Sequence, residues 1–216
     1  MATTSAIALL VLHAVRLTGM ADEQRVATRF GLDRVQTAEL LADFEAFGWI
    51  TWNDFAGSGG WSLTAAGKVR NERQLAEELT AAGATDDVTA TYHDFVSSNA
   101  LLLQACTHWQ LRPTGSDRLA TNRHDDSAWD ATVLADLEAV GQTLADLQPR
   151  LVRGLGRFAG YDQRYRRALD RVHAGDLDWV TGVGKDSCHT VWMELHEDLL
   201  ATLGLERGES ADMGHA

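Results

Sequence analysis

The chain has 216 residues, 45% of them hydrophobic, enough to bury a sizeable core in one domain or two small ones. Its formal charge of −12 repels nucleic acid and anionic membranes from the molecule as a whole, so any DNA contact must be local. Cys106 and Cys188 make no disulfide framework; the start MATTSAIALLVLHAV lacks a basic leader, and its apolar run is too short to span a bilayer, so a reducing cytoplasm is the expected compartment.

Ile7, Leu10, Val11 and Ala14 fall at i, i+3, i+4 and i+7, which predicts a helix over residues 6–18. A shorter helix fits ADEQRVATRF and ends at Gly31. Asp33 and Gln36 then form a capping-box arrangement before a helix whose buried stripe is Leu40, Leu41, Phe44 and Phe47. Helix, tight turn and capped helix have helix-turn-helix spacing. ITWNDFAGSGGWSL follows, with Ile50 and Trp52 on one face of a first strand, Trp61 and Leu63 on one face of a second, and a hairpin tip at GSGG without Lys or Arg. Thr64 is placed to cap the next helix, which runs to about Ala82 before Gly83.

Beyond Gly83 the pattern is helical throughout. One long helix is expected from Thr85 through Val88, Tyr92, Phe95, Asn99, Leu102, Cys106 and Trp109. After a polar connection, Ser127 is placed to cap a helix holding Val133, Leu137, Val140, Leu144 and Leu147; Pro149 suits the first turn of a new one. Further helices carry Leu151, Leu155 and Phe158, then Tyr165, Leu169 and Val172, and finally CHTVWMELHEDLLATL, expected at the centre of a bundle. The fold class is therefore mainly α, with domains at 1–83 and 84–205 and a frayed polar tail at 206–216.

Residues 6–80, through the order helix, helix-turn-helix, GWI strand and glycine-rich tip and above all through WSLTAAGK, resemble the winged helix-turn-helix of MarR- and PadR-type bacterial transcription regulators. The resemblance implies a homodimer that binds double-stranded operator DNA and releases it when a small molecule binds. It places Arg34, Gln36 and Thr37 in the first turn of the recognition helix, where Arg reads guanine and Gln adenine, at about 1–3 kcal/mol per good contact. Lys68, Arg70 and Arg73 would hold phosphates from the next helix. With an uncharged tip, wing contact is expected to be weak.

The helical half offers two constellations. Arg150, Arg153 and Arg157, then Arg164, Arg167 and Arg171, repeat an i, i+3, i+7 spacing and suit an anionic effector, or else solvated faces paired to acidic neighbours. His189 and His196 share a face beside Trp192, and His93, Asn99 and His108 could complete an effector pocket with them; satisfied core histidines are the bland alternative. Without CxxC or HxxxH spacing, no metal and no cofactor are expected. The expected function is a ligand-responsive regulator binding DNA as a dimer, with an anionic or aromatic effector. The alternatives are a protein-interaction module that no longer binds DNA, and an enzyme using His189 and His196.

Overall fold

The computed structural model describes residues 3–55, 57–115 and 117–206, so the expected tail, apart from Glu206, lies outside the described residues. The chain is mainly helical, and the described residues form nine α-helices and one two-stranded antiparallel sheet. No helix among them is long and apolar enough to cross a membrane. They divide into two compact units, the first built from residues up to 88, 152–157 and 197 onward, the second from 89–151 and 158–196. This division is interleaved along the chain, with its first boundary at residue 88.

Unit 1 begins with α1 (Ile7–Thr18), α2 (Glu23–Phe30) and α3 (Arg34–Ala46). Asp22 caps α2 by accepting the Arg25 N–H, and Gly31, at φ +63°, takes the left-handed conformation that ends it. Asp33 accepts the Gln36 N–H at 2.9 Å, so α3 starts where the capping residues predict. Val11, Leu12 and Val15 of α1 pack with Val26, Leu41, Phe44 and Ile50 in one buried cluster. Phe47 departs from the expected stripe. The helix has ended at Ala46, so Phe47 is 62% exposed, its ring 4.9 Å from Trp49.

Strands β1 (Ile50–Phe55) and β2 (Ser58–Leu63) pair with Ile50 opposite Leu63 and Trp52 opposite Trp61. Gly59 and Gly60, expected at the tip, lie within β2, where close neighbours leave no room for a side chain. A Cβ on Gly59 would stand 2.4 Å from the Trp52 ring, and one on Gly60 2.7 Å from the Ala21 nitrogen. Ala21 itself pairs with Trp61 through two backbone hydrogen bonds of 2.8 and 3.2 Å, a third strand-like contact that no periodicity announces. Ile50 is buried, whereas Trp52, on the same strand face, is 46% exposed, so only the base of that face reaches the core.

Helix α4 (Ala65–Ala82) is locked to the end of α3 by Thr64 and Gly67. The Thr64 hydroxyl lies 2.6 Å from the Gly48 carbonyl and accepts the Gly67 N–H at 3.1 Å. Any Cβ at Gly67 would fall 1.9 Å from the Trp49 carbonyl oxygen. The segment 152–157 joins unit 1 by pairing Leu155 with Thr3.

The remaining helices are α5 (Thr85–Ser97), α6 (Asn99–Gln110), α7 (Ser127–Gly154), α8 (Tyr161–His173) and α9 (Cys188–Leu203). Within unit 2, Phe95, Leu102, Leu137, Val140, Leu144, Tyr161, Tyr165, Trp192 and Leu195 are buried. The Tyr165 hydroxyl donates to the Leu137 carbonyl at 3.1 Å. Three expectations are corrected here. The single long helix breaks at Ser98, where the Ser97 hydroxyl bonds the Asp94 carbonyl at 2.6 Å and offers the backbone a local alternative. Helix α7 runs through Pro149 instead of restarting there, because that ring lies on the exposed side of the helix. Its cap is Asp126, which accepts the Ala128 and Trp129 N–H groups, in place of Ser127. The Trp129 bond leads the causes that hold the Asp126 carboxyl below its usual range.

Candidate nucleic-acid interface

Arg34 and Gln36 lie exposed in the first turn of α3. The Arg34 side chain is 65% exposed and donates through Nε to Glu23 at 3.0 Å, a surface pair of the kind worth about 0–1 kcal/mol and readily exchanged for another anion. Thr37 does not join them. It is buried, and its hydroxyl donates to the Asp33 carbonyl at 2.7 Å, so it cannot reach a base. The rest of the exposed face of α3 carries Val35, Glu39, Asp43 and Glu45. On α4, Lys68 is exposed and 3.8 Å from Glu72, Arg73 is exposed, and Arg70 is only half-buried, its guanidinium 5.2 Å from the centre of the Trp49 ring. A shallow groove of about 420 Å³ is lined by Val15, Arg16, Leu63, Thr64, Lys68 and Glu197.

A buried polar cluster, unforeseen in the sequence, lies beneath these surfaces in unit 1. His13 of α1 has Nε2 3.0 Å from Asp198 Oδ1 and Nδ1 3.1 Å from Asn71 Oδ1. Asp198 also binds Arg157 through Nη1. Arg157 donates further to Glu78 at 2.8 Å and to the Thr202 hydroxyl at 2.6 Å. His13, Asn71 and Asp198 are fully buried. Burial works against the Arg157 charge, but Asp198 and Glu78 more than offset it and raise its pKa. Burial likewise opposes the Asp198 carboxylate, and Arg157 with His13 reverses that, so Asp198 is held well below the usual carboxylate range. For His13 burial dominates and lowers the pKa despite Asp198. The clue available in the sequence was polar residues at core positions: His13 beside Leu12 and Ala14, Asp198 between Leu195 and Leu199.

Unit 2 gathers three of the six expected pocket residues. Asn99 accepts the Trp192 indole N–H at 2.6 Å, the Trp192 ring stacks on Phe95 at 4.2 Å, and His196 lies 5.6 Å from Phe95. His93 is exposed, His108 packs against Trp129, and His189 is half-buried, with burial lowering its pKa. The first arginine stripe is dispersed, whereas Arg164, Arg167 and Arg171 share α8. Helix α7 continues to Gly154 and a 3-10 turn follows at Gly156–Phe158, so Arg150, Arg153 and Arg157 do not share one helix. Arg157 is inside unit 1. Arg150 pairs with Asp94 at 2.5 Å and Arg171 with Asp176 at 2.6 Å. Arg164 donates to both Asp186 and Glu194; burial opposes its charge, but these bonds raise its pKa. Arg153 and Arg167 are exposed.

A second polar knot pins the connection before α7. Asn122 Nδ2 donates to Asp130 at 2.9 Å and to the Trp109 carbonyl, while His124 Nδ1 lies 3.0 Å from Asp130. His124 is held at φ +56°, uncommon for a residue with a side chain. Burial pushes the Cys106 thiol up to about 11 and the Cys188 thiol up to about 12, which leaves both unreactive near neutral pH. No cluster of three or more His, Cys, Asp or Glu side chains among the described residues is arranged around a metal-sized space. Comparison of the chain with family models, curated proteins and solved structures gives no match.

Proposed function

We propose that unit 1 is a winged helix-turn-helix and that the protein regulates transcription by binding operator DNA as a homodimer. The observation that carries this reading is the order α1, Ala21 contact, α2, three-residue turn, α3, hairpin, α4, with Ala21 paired to Trp61. That order presents the first turn of α3 to a major groove and sets the hairpin beside it as a wing. Arg34 and Gln36 read bases, and Lys68 and Arg73 hold phosphates. Binding requires both half-sites, about 34 Å apart, to be engaged together.

Fluorescence anisotropy on the DNA upstream of the protein's own gene tests the proposal. Salt-sensitive binding that Arg34→Ala weakens by about 5- to 150-fold is expected, matching the loss of about 1–3 kcal/mol for one bidentate base contact. Absence of binding at low ionic strength would overturn it.

A second reading is favoured by Glu39, Asp43 and Glu45 on the exposed face of α3, which a phosphate backbone repels. On that reading the winged helix docks a basic protein surface, and Arg34→Ala leaves partner binding unchanged.

A further inference from the structure

We infer that the end of α3 and the start of α4 form the contact between two copies of this chain, which pair there about a two-fold axis. This rests on the homodimer of the proposed function and not on its DNA contact.

The surface is a strip with a fixed order of groups. Phe47 follows the last residue of α3 and is exposed, and its N–H donates to the Asp43 carbonyl at 2.9 Å. Asp43, exposed as well, therefore sits one helical turn before Phe47 on the same face. The Trp49 ring is 4.9 Å from that of Phe47, and the Arg70 guanidinium is 5.2 Å from the Trp49 ring. The order of contacts is acid, ring, ring, base. Its backing is rigid. The Trp49 ring lies 5.4 Å from that of buried Phe44, and the Trp49 carbonyl accepts the Thr64 N–H at 3.0 Å, which ties α3 to the start of α4.

Both ends of the strip lack a counter-charge. Neither Asp43 nor Arg70 has an ion-pair partner among the described residues, and Arg70 Nε is buried without a hydrogen-bond partner. A guanidinium is best matched by a carboxylate, and an exposed ring between two charges marks a surface that another molecule covers. A partner of one charge sign would be repelled at one end. A second copy, turned through half a revolution, is repelled at neither, because Arg70 of each copy meets Asp43 of the other with the aromatic rings of both between them. Such reciprocity, residue i meeting j while j meets i, is what a two-fold contact requires.

The pairing also suits the spacing of the recognition turns. Helix α3 has 13 residues, so its first and last Cα atoms are about 18 Å apart at about 1.5 Å per residue. Two copies joined at the ends of α3 separate their Arg34 turns by up to about twice that length plus the thickness of the contact. That range includes the half-site distance of about 34 Å.

Sedimentation velocity on the full chain without DNA, over a dilution series, tests the contact. Wild type should be a dimer that dissociates on dilution. Phe47→Glu removes an anchor twice from a two-fold contact, and two losses of about tenfold each should raise the dissociation constant about hundredfold. Circular dichroism should be unchanged, since Phe47 is exposed. Arg70→Glu and Asp43→Arg each set like charges together at both ends, and each alone should weaken the dimer at least about tenfold. An equimolar mixture of these two variants should regain it, because every contact between unlike copies again joins one acid to one base. No merely structural role for either residue produces that rescue. A wild type that stays monomeric throughout overturns the proposal and assigns the strip to a different protein. A dimer indifferent to Phe47→Glu, or a mixture no tighter than its parts, overturns it as well. Because DNA is absent, failure to bind an operator would count against the proposed function alone.

Discussion

Single residues with no freedom of size or charge hold unit 1 together. Gly67 is the tightest, since any Cβ there meets the Trp49 backbone rather than a flexible side chain. Gly67→Ala should cost about 2–3 kcal/mol, the scale of forced overpacking. Thr64→Ala removes the cap on the Gly67 N–H and should cost about 1 kcal/mol. Urea denaturation of both variants checks the order, and equal small effects would show that this corner is loose. Arg157 is the charged counterpart. Removing it strands Asp198 and Glu78 without their buried partner, and Arg157→Ala should destabilise by about 3–5 kcal/mol. Because Asp198 then loses the first group that lowers its pKa, the loss should shrink as the pH falls and Asp198, without Arg157 beside it, protonates. A loss independent of pH would place the damage in packing instead.

At the scale of the element, Pro149 sits inside α7 without breaking it. It provides no N–H for the carbonyl four residues earlier, at Ala145, and its ring is exposed, so Pro149→Ala restores one helical bond at no packing cost. A gain of about 1 kcal/mol is expected by thermal melting, reduced from the full proline penalty because proline also restricts the unfolded chain. The sequence made the helix starts at Asp33 and Thr64 legible because their caps are local chemistry. The hairpin was legible because alternation is local too. What escaped were features decided by partners distant in the chain: the Ala21 pairing with Trp61, the exposure of Trp52, and the recruitment of Arg157. An arginine spacing of i, i+3, i+7 reads as one surface stripe only if one helix carries it, and the end of α7 at Gly154 turned Arg157 inward. Thr37 was misplaced by a single helical position, which periodicity could not resolve and the Asp33 carbonyl did.

For the whole molecule the deciding quantity is charge. A chain of net −12 binds DNA only where its exposed cations are grouped, and Arg34, Lys68 and Arg73 are the exposed ones assigned to that role. On the DNA-binding reading, the two phosphate contacts, Lys68 and Arg73, predict a slope of log K against log salt near −2 per protomer, by the rule of about −0.9 per contact. Glu39 lies exposed on α3, the helix that carries Arg34. At about 4 Å in water a unit charge is worth about 1 kcal/mol, so Glu39→Gln should tighten DNA binding about fivefold at low salt and less at high salt. Protein docking predicts the opposite order, since a basic partner binds Glu39 and loses affinity when it is neutralised. One substitution therefore moves the two readings in opposite directions. Anisotropy with DNA and with a basic amphipathic peptide, run on the same variant, separates them even while operator and partner are both unidentified.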